Sequence, residues 1–219
     1  MTYSIIARCP DTGNFGAAIA SCFPAVGAHS PAIQADVGII ATQGWVNPSL
    51  GGKGMHFLRD GHTANATLNT LLHGDPGREL RQLAVVDRFG NSAVYTGIDN
   101  DEEKGHIIGE HYAILGNLLA NKEMLGAMEY AFKNTEGKLQ DKLLAALVKG
   151  DQMGGDRRGK QSAILKVVAL EGYPYVDFRV DDAEEPVLEL EQIYLKNKHV
   201  LIDRYDEWVE TIEAGIRLT

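Results

Sequence analysis

The chain has 219 residues, 44% of them apolar, enough for one large domain whose core buries roughly 70% of the unfolded surface. Its formal charge of −9, from 21 basic and 30 acidic residues with no basic block, argues against nucleic acid as a partner, because each phosphate contact needs a Lys or Arg. No window approaches the ~20 apolar residues of a membrane span and no basic-then-apolar leader opens the chain, so a cytoplasmic protein without membrane contact is expected.

In chain order, the apolar-rich run Thr2–Arg8, the turn cluster 10–14 and a second apolar run over 15–22 predict a hairpin. A third strand is expected over 37–43, apolar enough to be covered on both faces. A glycine-rich loop over 47–54 follows, then two short helices over 53–60 and Ala64–His73, the second capped by Thr63 and stopped by Gly74 and Pro76. Segments 82–87 and Ser92–Thr96 predict another hairpin, and 111–115 a further strand ending at Gly116-Asn117. Asn121 is the expected cap of a helix carrying Met124, Met128 and Phe132, and Leu139, Leu143 and Leu147 mark its partner. Strands are then expected over 163–170 and 175–180. Pro186 suits the first turn of an acidic helix, and Tyr205, Trp208, Val209, Ile212 and Ile216 mark a last amphipathic one.

Helices inserted in pairs between groups of tightly connected strands do not match the single-helix alternation of a parallel sheet. They suit an α+β four-layer αββα sandwich of two stacked, mainly antiparallel sheets. One domain over 1–219 is expected, with 183–219 as a C-terminal helical extension.

Several apparent motifs fail on inspection. The stretch 154–163, Gly-Gly-Asp-Arg-Arg-Gly-Lys-Gln-Ser-Ala, has phosphate-loop spacing, but Gln161 stands where a magnesium-binding Ser or Thr belongs, and the loop joins a helix to a strand rather than the reverse. It is either a site or a solvated hinge. Asp11-Thr12-Gly13 matches a protease tripeptide but occurs once, in a turn that needs Asp and Gly for backbone reasons. The seven histidines never fall three or four residues apart, so no helical metal pair is present and no metal or other cofactor is expected. His106 and His111 flank a strand and could face a pocket. Cys9 and Cys22 lie outside any Cys-x-x-Cys pair and read as buried thiols.

Thr2 follows Met1 and starts the first strand. Removal of the methionine would leave one residue with both a nucleophilic hydroxyl and an α-amine of pKa about 7.7–8.0 able to act as its base.

Taken together, Thr2-Tyr3-Ser4-Ile5-Ile6-Ala7-Arg8, the segment 11–16, Ala41-Thr42-Gln43, Asn47-Pro48, Gly116-Asn117, 154–163 and 173–182 resemble the domain-of-unknown-function 1028 family, grouped with the N-terminal-nucleophile hydrolases. The resemblance covers residues 2–182. It implies the same four-layer sandwich and amide-bond hydrolysis, without naming a substrate. The chain departs from relatives that carry a Cys and a Trp before a Gly-His pair, having 99–104 ahead of Gly105-His106.

The resemblance implies Thr2 as nucleophile, Asn117 as an oxyanion donor and Asp156 as an orienting carboxylate. Ser21, Thr42, Gln43, Gln161 and Ser162 would reach the same rim, and Arg158 would pair with a substrate carboxylate. A small, anionic amide is the expected ligand and a homodimer the expected assembly. A non-catalytic metabolite-binding protein on the same fold, or an assembly protein using its acidic C-terminal helices, are the alternatives.

Overall fold

In the computed structural model, residues 2–169, 171 and 173–215 are described. Met1, Leu170, Gly172 and 216–219, and with them the end of the strand expected over 163–170 and the expected Ile216 contact, lie outside the described residues.

β1 (Thr2–Arg8) and β2 (Phe15–Ser21) form the first hairpin, in register from Thr2↔Ser21 to Arg8↔Phe15. Gly13 turns the chain with φ +77°, and Cys9 N donates to Asn14 O at 2.8 Å. Cys9 and Cys22, expected to be buried, are half-buried, because each sits just past the end of its strand.

A single turn, α1 (Val26–His29), and a short strand, β3 (Pro31–Gln34), come next; neither is visible in the sequence pattern. The strand expected third is therefore the fourth, β4 (Gly38–Gly44), and Ile39 and Ile40 are both fully buried, on its opposite faces.

The segment 47–54, expected as a loop, is mostly the start of α2 (Ser49–Arg59). Gly51 and Gly54 permit close approach rather than a bend. A Cβ on Gly54 would collide with Ile40 Cδ1, and one on Gly51 would lie 2.8 Å from Ala32 Cβ. α3 (Ala64–His73) starts as expected, with Thr63 Oγ1 accepting from Ala66 N at 3.2 Å.

β5 (Arg81–Asp87) and β6 (Ser92–Thr96) form the second hairpin. An unexpected strand, β7 (Gly105–Gly109), pairs with β8 (Tyr112–Gly116), so His106 lies within a strand while His111 holds the intervening turn at φ +68°. α4 (Met124–Asn134) begins later than an Asn121 cap would place it; the Asn121 amide instead donates to Met153 O at 2.5 Å. α5 (Leu139–Gln152) buries Leu139, Leu143 and Leu147. β9 (Ser162–Val168), β10 (Pro174–Val180), α6 (Pro186–Asn197) and α7 (Tyr205–Glu213) complete the described chain, with Pro186 in the first turn of α6.

The strands assemble into a six-stranded sheet, β10-β9-β2-β1-β8-β7, and a four-stranded sheet, β3-β4-β5-β6, with every pairing antiparallel. Three apolar layers hold them. Tyr3, Ile5 and Leu165 meet α4, α5 and α6 on one side of the larger sheet, while Ile6, Ile19, Ala41 and Ala84 fill the space between the sheets. Ile40 and Val85 meet α2 and α3 beyond the smaller sheet. The molecule is the four-layer αββα sandwich. Among the described residues no helix is long and apolar enough to cross a membrane.

Candidate active site

Strand alternation decides which side chains can meet. On β1, Tyr3, Ile5 and Ala7 point to the helices, so Thr2, Ser4 and Ile6 point to the other sheet. In the smaller sheet, Ile39 and Ala41 are inward, which turns Gln43 inward as well and sends Thr42 to the α2 side. Gln82 is in phase with the inward Ala84 and Val86. At one end of the inter-sheet layer, apolar filling therefore gives way to a cluster of neutral polar groups.

The cluster is closely bonded. Thr2 Oγ1 lies 3.2 Å from Ser21 Oγ, as expected for directly opposed residues, and Thr2 N donates to Asn117 Oδ1 at 3.3 Å. The Thr2 carbonyl accepts from Asn117 N and from Gln43 Nε2, both at 3.2 Å. Ser4 Oγ donates to Gln43 Oε1 at 2.7 Å. Gln43 Nε2 and Asn117 Nδ2 converge on Gln82 Oε1 at 3.0 and 2.8 Å. Gln82 Nε2 in turn faces the carbonyls of Gly105 and Gly116 and the Thr96 hydroxyl, at 3.0, 2.9 and 3.1 Å. These contacts fix the amide orientations, so the acceptor end of Asn117 faces Thr2. Thr2 itself is only 6% exposed.

The glycine-flanked loop lies along the adjacent edge. Gly154, Gly155 and Gly159 all have positive φ, and the loop pairs with the segment just after Asn117 through Ala120 N to Gly155 O at 3.1 Å and Arg157 N to Leu118 O at 3.2 Å. The buried Asp156 carboxylate accepts from Cys22 N at 3.2 Å and Arg158 N at 2.8 Å, and the Arg158 guanidinium reaches it at 3.4 Å. Asp156 thus fixes the residue after Ser21, and no described hydrogen bond joins it to Thr2. Arg158 leaves 46% of its side chain exposed beside this point.

The remaining candidates serve neighbours. Gln161 donates through its side chain to Asp182 at 3.0 Å and through its backbone to Ser21 O at 2.9 Å. Ser162 Oγ donates to Phe23 O at 2.5 Å and accepts from Val26 N at 3.0 Å, securing the chain after β2. Thr42, on the far face of its sheet, accepts from Asn47 N at 3.4 Å. Thr2, Ser21, Gln43 and Asn117 are therefore brought together, Asp156 and Arg158 stand next to them, and Thr42 is apart.

Sequence reasoning does not single out Gln82, the residue that ties the cluster together. Its only signal is a polar side chain in the inward phase of an otherwise apolar strand. His106 reaches the cluster's edge through Thr96 Oγ1, 2.9 Å from its Nδ1, and burial holds the imidazole below its ordinary pKa. On the helix side of β1, burial, reinforced by Asp151, pushes the Tyr3 hydroxyl well above the usual phenol range.

Comparison with known proteins agrees with this architecture. A family model described as a family of unknown function, DUF1028, matches residues 2–190. The crystal structure of protein SPO2555 from Silicibacter pomeroyi, of the same family model, is similar at 34% identity over 90% of this chain and 86% of that one, with a TM-score of 0.83. Anbu (ancestral beta-subunit) from Yersinia bercovieri aligns over 99% of each chain at 10% identity with a TM-score of 0.42, a likeness that says nothing further of this protein. No curated protein matches the chain. With the family model spanning most of its length and a relative sharing a third of its residues, the chain belongs to the DUF1028 family, whose function is unknown.

Proposed function

We propose that the protein is an amide hydrolase of the N-terminal-nucleophile type, acting on a small anionic amide. The observation that carries this reading is the setting of Thr2: its hydroxyl lies against Ser21 Oγ while its backbone nitrogen points at the Asn117 side-chain oxygen. With Met1 removed, that nitrogen becomes an α-amine of pKa about 7.7–8.0, and Asn117 would orient it.

The amine takes the Oγ1 proton as the hydroxyl oxygen attacks the substrate carbonyl, and the resulting ammonium returns the proton to the departing amine. Water then cleaves the Thr2 ester, with the α-amine again acting as base. Asn117 spends its oxygen on the amine and one amide hydrogen on Gln82, so its role here is orientation; its second amide hydrogen, with no partner among the described residues, would serve an oxyanion. Arg158 supports the choice of an anionic substrate: its partly exposed guanidinium stands beside the strand end that carries Ser21. A cytoplasmic homodimer belongs to the same proposal, and light scattering on the purified protein checks the dimer.

A second reading, a ligand-binding protein without catalysis, is favoured by the near-complete burial of Thr2. Intact mass spectrometry of untagged protein from its native host separates the two. Loss of Met1 supports the hydrolase; retention of Met1 in every copy removes the base and leaves the second reading.

A further inference from the structure

A cleft of about 690 Å3 opens at the other end of β1, between the β1–β2 turn, the start of β8, the α4–α5 connection and α7. With seven residues in β1, this end lies about 20 Å along the strand from Thr2. Two ring pairs form much of its wall: Tyr175 and Tyr205 with centroids 4.3 Å apart, and Tyr112 and Phe132 with centroids 5.1 Å apart. The Tyr205 hydroxyl is spent on Glu171 at 2.8 Å and that of Tyr112 on Glu129 at 2.5 Å, so these two rings offer the cleft chiefly their carbon surfaces.

Against these rings, in the first turn of α5, lies Gln140, 1% exposed. Neither its Nε2 nor its Oε1 has a hydrogen-bond partner among the described residues. The Tyr175 hydroxyl is a polar neighbour, close enough for the carboxamide to oppose the rise that burial imposes on the phenol, although the pair falls outside hydrogen-bond geometry. The contrast with Gln43, Gln82 and Asn117 is direct, since those buried carboxamides bond through both their nitrogen and their oxygen. Buried polar groups are rarely left unpaired, and each exception calls for an explanation, such as a ligand or water that reaches it.

We propose that this cleft binds a small planar ligand carrying a primary carboxamide or a cyclic amide on an aromatic or heteroaromatic ring. Gln140 presents one acceptor and one donor side by side. The complement is an N–H and a C=O on the same edge, which primary amides and lactams have and a trans peptide bond lacks. The ring of such a ligand would lie against the tyrosines. Arg8, Lys138 and Lys142 at the rim have no ion pair among the described residues, but Asp11 and Asp206 share the rim, so shape and the amide edge select the ligand rather than charge. The cavity falls in the range of roughly 300–1,000 Å3 typical of small-molecule sites. None of this depends on Thr2.

Benzamide and nicotinamide are the probes, with benzyl alcohol as the ring-matched control, titrated calorimetrically into the full-length protein. The expected result is binding of at least one amide with a Kd of about 1 mM or tighter, and at least tenfold weaker binding of benzyl alcohol. Gln140→Leu is expected to lose amide binding by tenfold or more while melting at or above the wild-type temperature, because it removes two unmade hydrogen bonds. Should that variant fail to fold, Gln140→Glu, which loses the donor but keeps the size, carries the test. No amide binding at millimolar concentration, equal binding of benzyl alcohol, or undiminished benzamide binding by a folded Gln140 variant would each overturn the proposal.

Discussion

The two ends of β1 treat buried carboxamides in opposite ways. At the Thr2 end, Gln43, Gln82 and Asn117 close on one another and on the backbone. At the Arg8 end, Gln140 has no hydrogen-bond partner for either polar atom among the described residues and lies beside an open cleft. A satisfied network holds its members in one arrangement, which suits a nucleophile that must be aimed; an unsatisfied group keeps its hydrogen bonds for a ligand. The same strand thus links a place built for positioning to a place built with room.

The strongest way to break this contrast is Gln82→Leu. It strands the donors of Gln43 and Asn117 and leaves the carbonyls of Gly105 and Gly116 short of a partner, at about 1–3 kcal/mol for each buried group left unpaired. A loss of about 3 kcal/mol or more in urea unfolding is expected, with benzamide binding unchanged. A loss below about 1 kcal/mol would mean that the network is not what holds the Thr2 end together.

Gly16→Ala probes the packing behind the cleft. The added Cβ would lie 2.5 Å from Leu143 Cδ1, 3.0 Å from Val167 Cγ2 and 3.2 Å from Lys166 O, so the Leu143 side chain must repack on α5, the helix that carries Gln140. About 2 kcal/mol of destabilisation is expected, together with weaker benzamide binding.

Asp75→Asn acts near the Thr2 end, where Arg81 pairs with Asp75 at 2.6 Å and lies opposite Gly44 on β4. The side-chain bond from Arg81, aided by Gly77 N, outweighs burial and holds the Asp75 carboxyl below its ordinary 3.8. A lowered carboxyl contributes stability that is present above 3.8 and lost as the pH falls through the lower folded value. The variant should therefore lose about 1–2 kcal/mol at neutral pH and show a smaller loss than wild type on acidification below 3.8. Parallel acid titrations of the two proteins would contradict this.

Arg158→Ala has the smallest expected effect on folding, about 1 kcal/mol or less, because its guanidinium is half in solvent and the buried Asp156 carboxylate keeps its bonds from Cys22 N and Arg158 N. In thermal-shift screening of small carboxylates, the wild type should show shifts that the variant lacks. Equal shifts for every ligand would reduce Arg158 to a surface charge.

The central strands and paired helices are legible because they are buried enough to impose a period. β3 and β7 are not. Each is an edge strand, half-buried or exposed, and β7 begins and ends in glycine, so neither carries a continuous apolar signal. Thr42 and Gln43 show a related limit. Neighbours on a strand face opposite ways, but β4 is covered on both faces, and an apolar run without contrast does not reveal which phase points inward. Gln82 sits one residue into its strand, where polar side chains are ordinary, and Gln140 sits in a helix first turn for the same reason. Asp156 was legible as a polar residue in a dense loop, but its bond to Cys22 N depends on how that loop folds onto β2.

The central claim is that Thr2 is the nucleophile. Its most direct test measures aniline release from a panel of small, carboxylate-bearing N-acyl anilides by wild type and Thr2→Ala, with intact mass confirming that Met1 is absent from both. Release by the wild type that falls by about 10³-fold or more in the variant is the expected result. Equal release by the two would contradict it.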